Sequence, residues 1–96
     1  MSTSLSFYFH DYETWGADPK RDRPAQFAGI RTDLDLNIIG EPDVWYCQLA
    51  NDYLPHPQAA LITGLTPQLC NKKGLSETEF MQRILARFSE PNSCVL

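Results

Sequence analysis

A dense aromatic run, Phe7-Tyr8-Phe9, stands near the start of the chain, and this pattern is typical of a β-strand buried on both faces. Side chains alternate along a strand, so Phe7 and Phe9 lie on one side. Asp11 and Glu13 continue that same side. The pattern therefore predicts a strand whose apolar face ends in two neighbouring carboxylates.

Two adjacent carboxylates repel each other, and burying either one is costly unless a cation or water is near. The residues after the pair are Thr14, Trp15 and Gly16, which bring a hydroxyl, a large aromatic ring and a flexible turn. One interpretation is the solvated, fraying end of a strand. The other is a divalent-metal site, because Mg²⁺ prefers carboxylate oxygens together with water and phosphate.

Two further strands are indicated downstream. Residues Ala25–Thr32 return to an apolar pattern with Phe27 and Ile30, and Asp33–Asn37 has the composition of a turn. A third strand begins at Ile38, is interrupted at Gly40–Pro42 and resumes over Val44–Leu49. Strands joined by such short connections predict an antiparallel meander.

Two helices are predicted next. Thr66 is suited to an N-cap and Pro67 to the first helical position, and Gly74 follows a helix of about two turns. Ser76 and Glu79 form a capping box before a helix of about three turns. Its apolar stripe is expected to cover one face of the sheet, and its outer face to carry Gln82, Arg83 and Arg87. The stripe consists of Phe80, Met81, Ile84, Leu85 and Phe88. After Pro91, Ser93–Leu96 has the pattern of a strand that is beginning.

Composition narrows the class of protein. Ninety-six residues allow one small domain, and a net charge of −4 does not favour binding nucleic acid by bulk electrostatics. No segment resembles a signal peptide or is long enough to span a membrane, so a cytoplasmic location is expected. The cysteines are few, widely spaced and without a C-x-x-C motif, which predicts free, buried or half-buried thiols. They are Cys47, Cys70 and Cys94.

The motif Asp11-Tyr12-Glu13-Thr14 resembles the first acidic motif of the DEDD superfamily of 3′–5′ exonucleases. Further segments resemble the amino-terminal part of the bacterial exonuclease I family. They are Phe9–Thr14, Arg23–Ala28, Ile30–Asp33, Ile39–Pro42, Asp52–Pro55 and Leu61–Pro67. The resemblance covers nearly the whole chain from Phe7 onward.

The resemblance implies an α/β, ribonuclease-H-like exonuclease fold that is incomplete: three antiparallel strands, two helices and the start of a fourth strand beside the first. Residues 1–96 would be the amino-terminal part of a single exonuclease domain, truncated at its carboxyl end. The parent enzyme would remove nucleotides from the 3′ end of single-stranded DNA during repair or recombination, as a Mg²⁺-dependent exodeoxyribonuclease. Mn²⁺ would be able to replace Mg²⁺ in its two-metal site.

The resemblance also implies roles for particular residues. Asp11 and Glu13 would bind the metals, and Glu13 would also approach the terminal nucleotide. The segment Gly64, Leu65 and Thr66 would hold that nucleotide. The family takes four acidic residues from three segments, and one branch adds a histidine base. Only the first segment is present, so the isolated chain is expected to be inactive or nearly so. Contacts with single-stranded-DNA-binding protein would lie beyond Leu96.

Two other functions stay open on the residues alone. The chain could be a non-catalytic nucleic-acid-binding or interaction remnant of the same fold, although such a module gains nothing from adjacent acids. It could also belong to an RNA-directed exonuclease of the superfamily, because nothing in these residues recognises or excludes a 2′-hydroxyl.

Overall fold

The computed structural model describes residues 5–16, 23–49, 61 and 63–96. Within them lies a four-stranded sheet with the strand order β3-β2-β1-β4. Neighbouring strands β1–β2 and β2–β3 are antiparallel, and β1–β4 is parallel. This arrangement confirms the predicted incomplete α/β fold. The elements are β1 (Ser6–Thr14), β2 (Pro24–Thr32), β3 (Ile38–Tyr46), α1 (Pro67–Lys73), α2 (Glu77–Phe88) and β4 (Ser93–Val95).

The turn between β2 and β3 is built around Asp33. Its carboxylate accepts backbone N–H bonds from Asp35 and Asn37, each at 2.9 Å, and these bonds lower the pKa of Asp33. The predicted interruption of the third strand is confirmed as an irregularity inside β3. Ile39 pairs with Arg31 and Asp43 pairs with Gly29, so Gly40–Pro42 bulge out of the regular ladder before pairing resumes. Gly40 takes a left-handed φ of 72° at this bulge.

The two faces of the sheet differ. Helix α2 covers one, which we call the helix-covered face, and its core comprises Tyr8, Phe27, Cys47, Phe80 and Ile84 with Trp45, Leu75 and Phe88 packed against them. The other, the open face, carries apolar side chains that stay half-buried or exposed. They are Leu5, Phe7, Phe9, Ile30, Leu34, Ile38 and Val44. The prediction that β1 is buried on both faces is therefore wrong.

Helix α2 begins as predicted, with the Ser76 hydroxyl accepting the N–H of Glu79 at 3.2 Å. Its buried stripe is narrower than the sequence indicates, because Met81 and Leu85 are exposed. Arg87 departs from its predicted outer position. It lies over the Trp45 ring, with its guanidinium carbon 5.7 Å from the ring centroid. The sheet extends beyond the apolar stripe of the helix, so an arginine with a long aliphatic stem covers the remaining edge.

Helix α1 forms as predicted, with Thr66 as its N-cap and Pro67 in its first turn. Gly74 follows it without a left-handed φ, so its role is steric. A Cβ there would lie 2.1 Å from the Cys70 carbonyl oxygen. This close approach lets Leu75 pair with the chain at the end of β3, donating its N–H to the Tyr46 carbonyl at 2.8 Å.

Strand β4 pairs with β1 as predicted, through Ser6–Ser93, Phe7–Cys94 and Tyr8–Val95. Cys47 and Cys70 are buried free thiols, whereas Cys94 is exposed, contrary to the prediction. Among the residues that the structure describes, no helix is long and apolar enough to cross a membrane.

Candidate active site

Strand β1 places the two predicted metal-binding carboxylates at its carboxyl end. Asp11 pairs across the ladder with Ala28, and Glu13 pairs with Gln26. The register then shifts between Glu13 and Thr14, so the pair comes immediately before the point where regular pairing ends. Both belong to the strand positions that form the open face.

The residues around Asp11 and Glu13 leave the carboxylate oxygens of this pair available. Asp11 is exposed, and its Oδ1 accepts the N–H of Tyr12 at 2.9 Å. Glu13 is half-buried. Among residues 5–16, 23–49, 61 and 63–96, neither carboxylate makes an ion pair with Lys, Arg or His. Unpaired carboxylate oxygens on one face are the donors that a hard cation takes, so the pair fits part of a divalent-cation site.

The described residues hold no group of three or more His, Cys, Asp or Glu side chains that could bind a metal. Some of the other acidic side chains in the described part of the chain have partners of their own. Asp33 organises its turn, and Glu79 pairs with Arg83 at 3.0 Å. Asp11 and Glu13 alone would supply only some of the ligands that a metal site needs.

The chain immediately after the pair is held tightly. The Thr14 hydroxyl donates to the Gly16 carbonyl at 2.7 Å, and the Trp15 N–H donates to the Arg23 carbonyl at 3.0 Å. The Trp15 side chain is 1% exposed and packs in a second core cluster with Leu65. This cluster brings the predicted nucleotide-binding segment beside the carboxyl end of β1.

Within that segment the three predicted residues have different environments. Gly64 is exposed and has a left-handed φ of 75°, with no atom within 4 Å of the position that a Cβ would take. Leu65 is 6% exposed in the cluster. The Thr66 hydroxyl accepts the N–H of Leu69 at 3.1 Å. Gly64 thus offers open backbone next to the site, while Leu65 anchors the segment and Thr66 caps α1.

His10 precedes the pair on the helix-covered side of β1. Its ring packs edge-on against Phe88, with the centroids 4.8 Å apart, and is stacked on Phe27 at 5.9 Å. The His10 ring therefore packs into the aromatic cluster on this side of the strand. Its backbone N–H donates to the Leu96 carbonyl at 3.2 Å, so β4 runs along β1 toward Asp11.

The helix-covered face carries a polar network of Tyr8, Asp43 and Arg87 that no sequence motif indicates. The Tyr8 hydroxyl donates to Asp43 Oδ2 at 2.7 Å. Arg87 donates to both oxygens of Asp43, at 2.8 and 3.2 Å. Burial, and then the hydrogen bond to Asp43, raises the pKa of the Tyr8 hydroxyl. The three residues are widely separated in the sequence and carry no motif, so only their meeting in three dimensions reveals them.

Comparison with known proteins decides the family. The model of the exonuclease family matches residues 8–96. The chain belongs to the exonuclease family. This membership is consistent with the sheet order and with the acidic pair at the end of β1, and it covers both candidate segments.

Individual exonucleases are similar along the whole chain. Exodeoxyribonuclease I of Haemophilus influenzae is 62% identical over 96 residues, which cover 100% of this chain and 20% of that protein. A crystal structure of Escherichia coli exonuclease I with a dT13 oligonucleotide is 56% identical, with a TM-score of 0.91 over 95% of this chain and 20% of the other. The chain in an ExoI/SSB-Ct complex is 55% identical, with a TM-score of 0.93, and the match covers 96% of this chain and 20% of that chain. The chain thus spans about a fifth of the length of the exonucleases it matches.

Proposed function

We propose that the chain contributes the first acidic motif of a Mg²⁺-dependent 3′–5′ exodeoxyribonuclease that acts on single-stranded DNA in the cytoplasm. The observation that carries the proposal is the unpaired pair Asp11 and Glu13, on one face at the end of β1. The similarity to an exonuclease I crystallised with dT13 supports DNA as the substrate. The similar ExoI/SSB-Ct complex supports single-stranded-DNA-binding protein as a partner of the longer enzyme.

In this proposal Asp11 and Glu13 hold the metal. Bound Mg²⁺ supplies neutralisation of phosphate charge and a more acidic water. The chain's own residues hold the two carboxylates in position. The β1–β2 ladder fixes the spacing of the two carboxylates, and the Thr14–Gly16 hydrogen bond holds the strand end. Gly64 would let backbone approach the terminal nucleotide, because the space at its Cβ position is free.

The chain alone is expected to be inactive, because the described residues supply only part of a metal site. A suitable test joins the 96 residues to the remaining part of the H. influenzae relative and measures release of nucleotides from 3′-labelled single-stranded DNA. Asp11→Asn should lower kcat by about a thousandfold, since several kcal/mol of metal-dependent stabilisation of the transition state are lost. Asp35→Asn, a change of an exposed carboxylate in the β2–β3 turn, is the matched control. Equal activity of the two variants would refute the proposal.

A non-catalytic binding module is the second candidate, favoured by the absence of a three-residue acidic or histidine cluster among the described residues. Calorimetric titration of the same chimera with Mn²⁺ distinguishes the two candidates. The exonuclease should bind Mn²⁺ in a manner that Asp11→Asn weakens. A binding-only module should bind none, and Asp11→Asn should then stabilise it by removing carboxylate repulsion.

A further inference from the structure

We infer that Arg31, on β2, is a positioning residue for the acidic pair. Its guanidinium holds β4 in register against β1, and this register fixes the strand end that carries Asp11 and Glu13. The inference rests on the proposed function, because it concerns the geometry of the same metal site.

The guanidinium of Arg31 joins four groups at one junction of the sheet. Its Nη1 donates to the hydroxyls of Ser6 and Ser93, each at 2.8 Å. Its Nη2 donates to the Arg87 carbonyl at 3.2 Å and lies 2.9 Å from a carboxylate oxygen of Glu90. These partners belong to β1, to β4, to the last turn of α2 and to the turn that follows it. One side chain thus ties the entry of β4 to the rest of the fold.

The surroundings of Arg31 fix the position of its guanidinium. The side chain is 16% exposed, and its guanidinium carbon lies 4.7 Å from the centroid of the Tyr8 ring. Tyr8 is also its cross-strand partner in the β1–β2 ladder. A planar guanidinium that stacks on an aromatic ring loses little further freedom when it donates hydrogen bonds. Strands β1 and β2 therefore place Arg31, and Arg31 in turn places β4.

Strand β4 needs a side-chain contact of this kind because its backbone pairing is short. Parallel pairs are slightly less stable per residue than antiparallel ones, and a slip by one residue would move every side chain of β4 to the opposite face of the sheet. In the part of the chain that the structure describes, three residue pairs join β4 to β1, namely Ser6–Ser93, Phe7–Cys94 and Tyr8–Val95. So short a ladder specifies its register weakly.

The two serine hydroxyls make the Arg31 contact specific for one register. Ser6 and Ser93 are directly opposite each other in the β1–β4 ladder, and the same nitrogen of Arg31 donates to both. A slip by one residue would move the Ser93 side chain about 3.3 Å along the strand and onto the open face. Its hydroxyl would then be out of reach of Arg31, so the full set of contacts forms only in the observed register.

The register of β4 affects the acidic pair through the edge of β1. The Leu96 N–H donates to the Tyr8 carbonyl at 2.9 Å, and the Leu96 carbonyl accepts the N–H of His10 at 3.2 Å. His10 is the residue before Asp11, whose other strand edge is paired with β2. A shifted β4 would release one of the two edges directly before Asp11. Support outside the metal ligands themselves changes metal affinity by about 10–100-fold.

A simple ion pair with Glu90 is the alternative role for Arg31. The Glu90 side chain is 40% exposed, and an exposed ion pair contributes little to stability. Such a pair needs only a positive charge, which lysine also carries. Control of the register needs the planar fork of donors, which lysine lacks. The variant Arg31→Lys therefore separates the two roles.

The test uses the chimera of the 96 residues with the remaining part of the H. influenzae relative, titrated calorimetrically with Mn²⁺ well below its melting temperature. Arg31→Lys and Arg31→Gln should each weaken Mn²⁺ binding about tenfold. They should also lower kcat on 3′-labelled single-stranded DNA about tenfold and leave KM for the DNA unchanged within about twofold. Arg83→Lys is the matched control, since Arg83 forms an exposed ion pair with Glu79 on α2.

A further variant covers the case in which the arginine variants do not fold. Ser93→Ala keeps Arg31 and removes one acceptor, so it should weaken Mn²⁺ binding about threefold. Parental Mn²⁺ affinity in Arg31→Lys or in Ser93→Ala would overturn the inference, and so would equal losses in Arg31→Lys and Arg83→Lys. If Asp11→Asn weakens Mn²⁺ binding and the Arg31 variants do not, this inference alone fails. If Asp11→Asn also leaves Mn²⁺ binding unchanged, the proposed function fails and the inference fails with it.

Discussion

The same strands form both faces of the sheet, but the side chains on the two faces differ in burial. On the helix-covered face, Tyr8, Phe27 and Phe80 are almost fully buried. On the open face, Phe9 is half-buried and Val44 is exposed. The carboxylates of the candidate site belong to the second face. The helix-covered face thus stabilises the fold, while the open face carries the candidate site.

The polar groups follow the same division. Asp43 on the helix-covered face is fully engaged by Tyr8 and Arg87. Asp11 on the open face accepts one local N–H bond. A satisfied carboxylate contributes to stability but cannot bind a ligand without losing its partners. An unpaired one contributes little to stability, and its oxygens stay accessible.

The largest difference between the faces should appear when a phenylalanine is removed from each. Phe80→Ala should lower the free energy of unfolding by about 3–5 kcal/mol, because a fully buried ring is lost and a cavity remains. Phe9→Ala should lower it by about 1 kcal/mol, because the ring is already partly in water. Urea unfolding of the isolated chain measures both. Equal losses would mean that the open face is covered in solution.

A second pair of substitutions probes the space above β2. Gly29→Ala should destabilise the chain by about 1–3 kcal/mol, since its Cβ would lie 2.0 Å from the Tyr8 hydroxyl oxygen. Ala28→Ser, at the neighbouring exposed position on the open face, should change stability by less than about 0.5 kcal/mol. Thermal unfolding of the two variants checks the contrast. A similar melting temperature for both would show that Tyr8 moves aside without cost.

The half-buried network of Tyr8, Asp43 and Arg87 gives a smaller effect. Asp43→Asn should cost about 1–2 kcal/mol, because Arg87 loses its charged partner and the Tyr8 hydroxyl keeps only a weaker acceptor. The expected loss of stability is this small because the Arg87 side chain is 39% exposed and solvent screens its ion pair with Asp43. Tyr8→Phe combined with Asp43→Asn forms a double-mutant cycle. Strict additivity of the two losses would show that the residues do not interact in solution.

The smallest effect concerns alkaline pH. Burial raises the pKa of the Cys47 thiol from 9.0 to about 11, so the folded state keeps a proton that the unfolded state releases. This contribution is fully present below pH 9 and is lost as pH rises toward 11. At pH 10 it should amount to about 1 kcal/mol. Cys47→Ala should flatten the decline between pH 9 and 11, whereas Cys94→Ala, at the exposed cysteine, should leave it unchanged. An identical decline of stability with pH in both variants would contradict the raised pKa of Cys47.

Much of the secondary structure could be predicted from the sequence, because its signals are local. Thr66 and Ser76 cap helices through their own hydroxyls, and the Asp33 turn closes on residues within four positions. The alternation along β1 placed Asp11 and Glu13 on one side. The interruption at Gly40–Pro42 was also predictable, because glycine and proline disturb regular strand pairing.

What the sequence determined by itself was the order of the elements, the start of each helix, the acidic pair and the resemblance to exonucleases, all of which depend on neighbouring residues. The tertiary structure decided which face of β1 is buried. It also drew Arg87 onto Trp45 and Asp43 and packed Leu65 against Trp15. The physical reason is that burial is a property of surfaces that meet. Both faces of an aromatic strand are hydrophobic, and only the placement of α2 determines which of them leaves water.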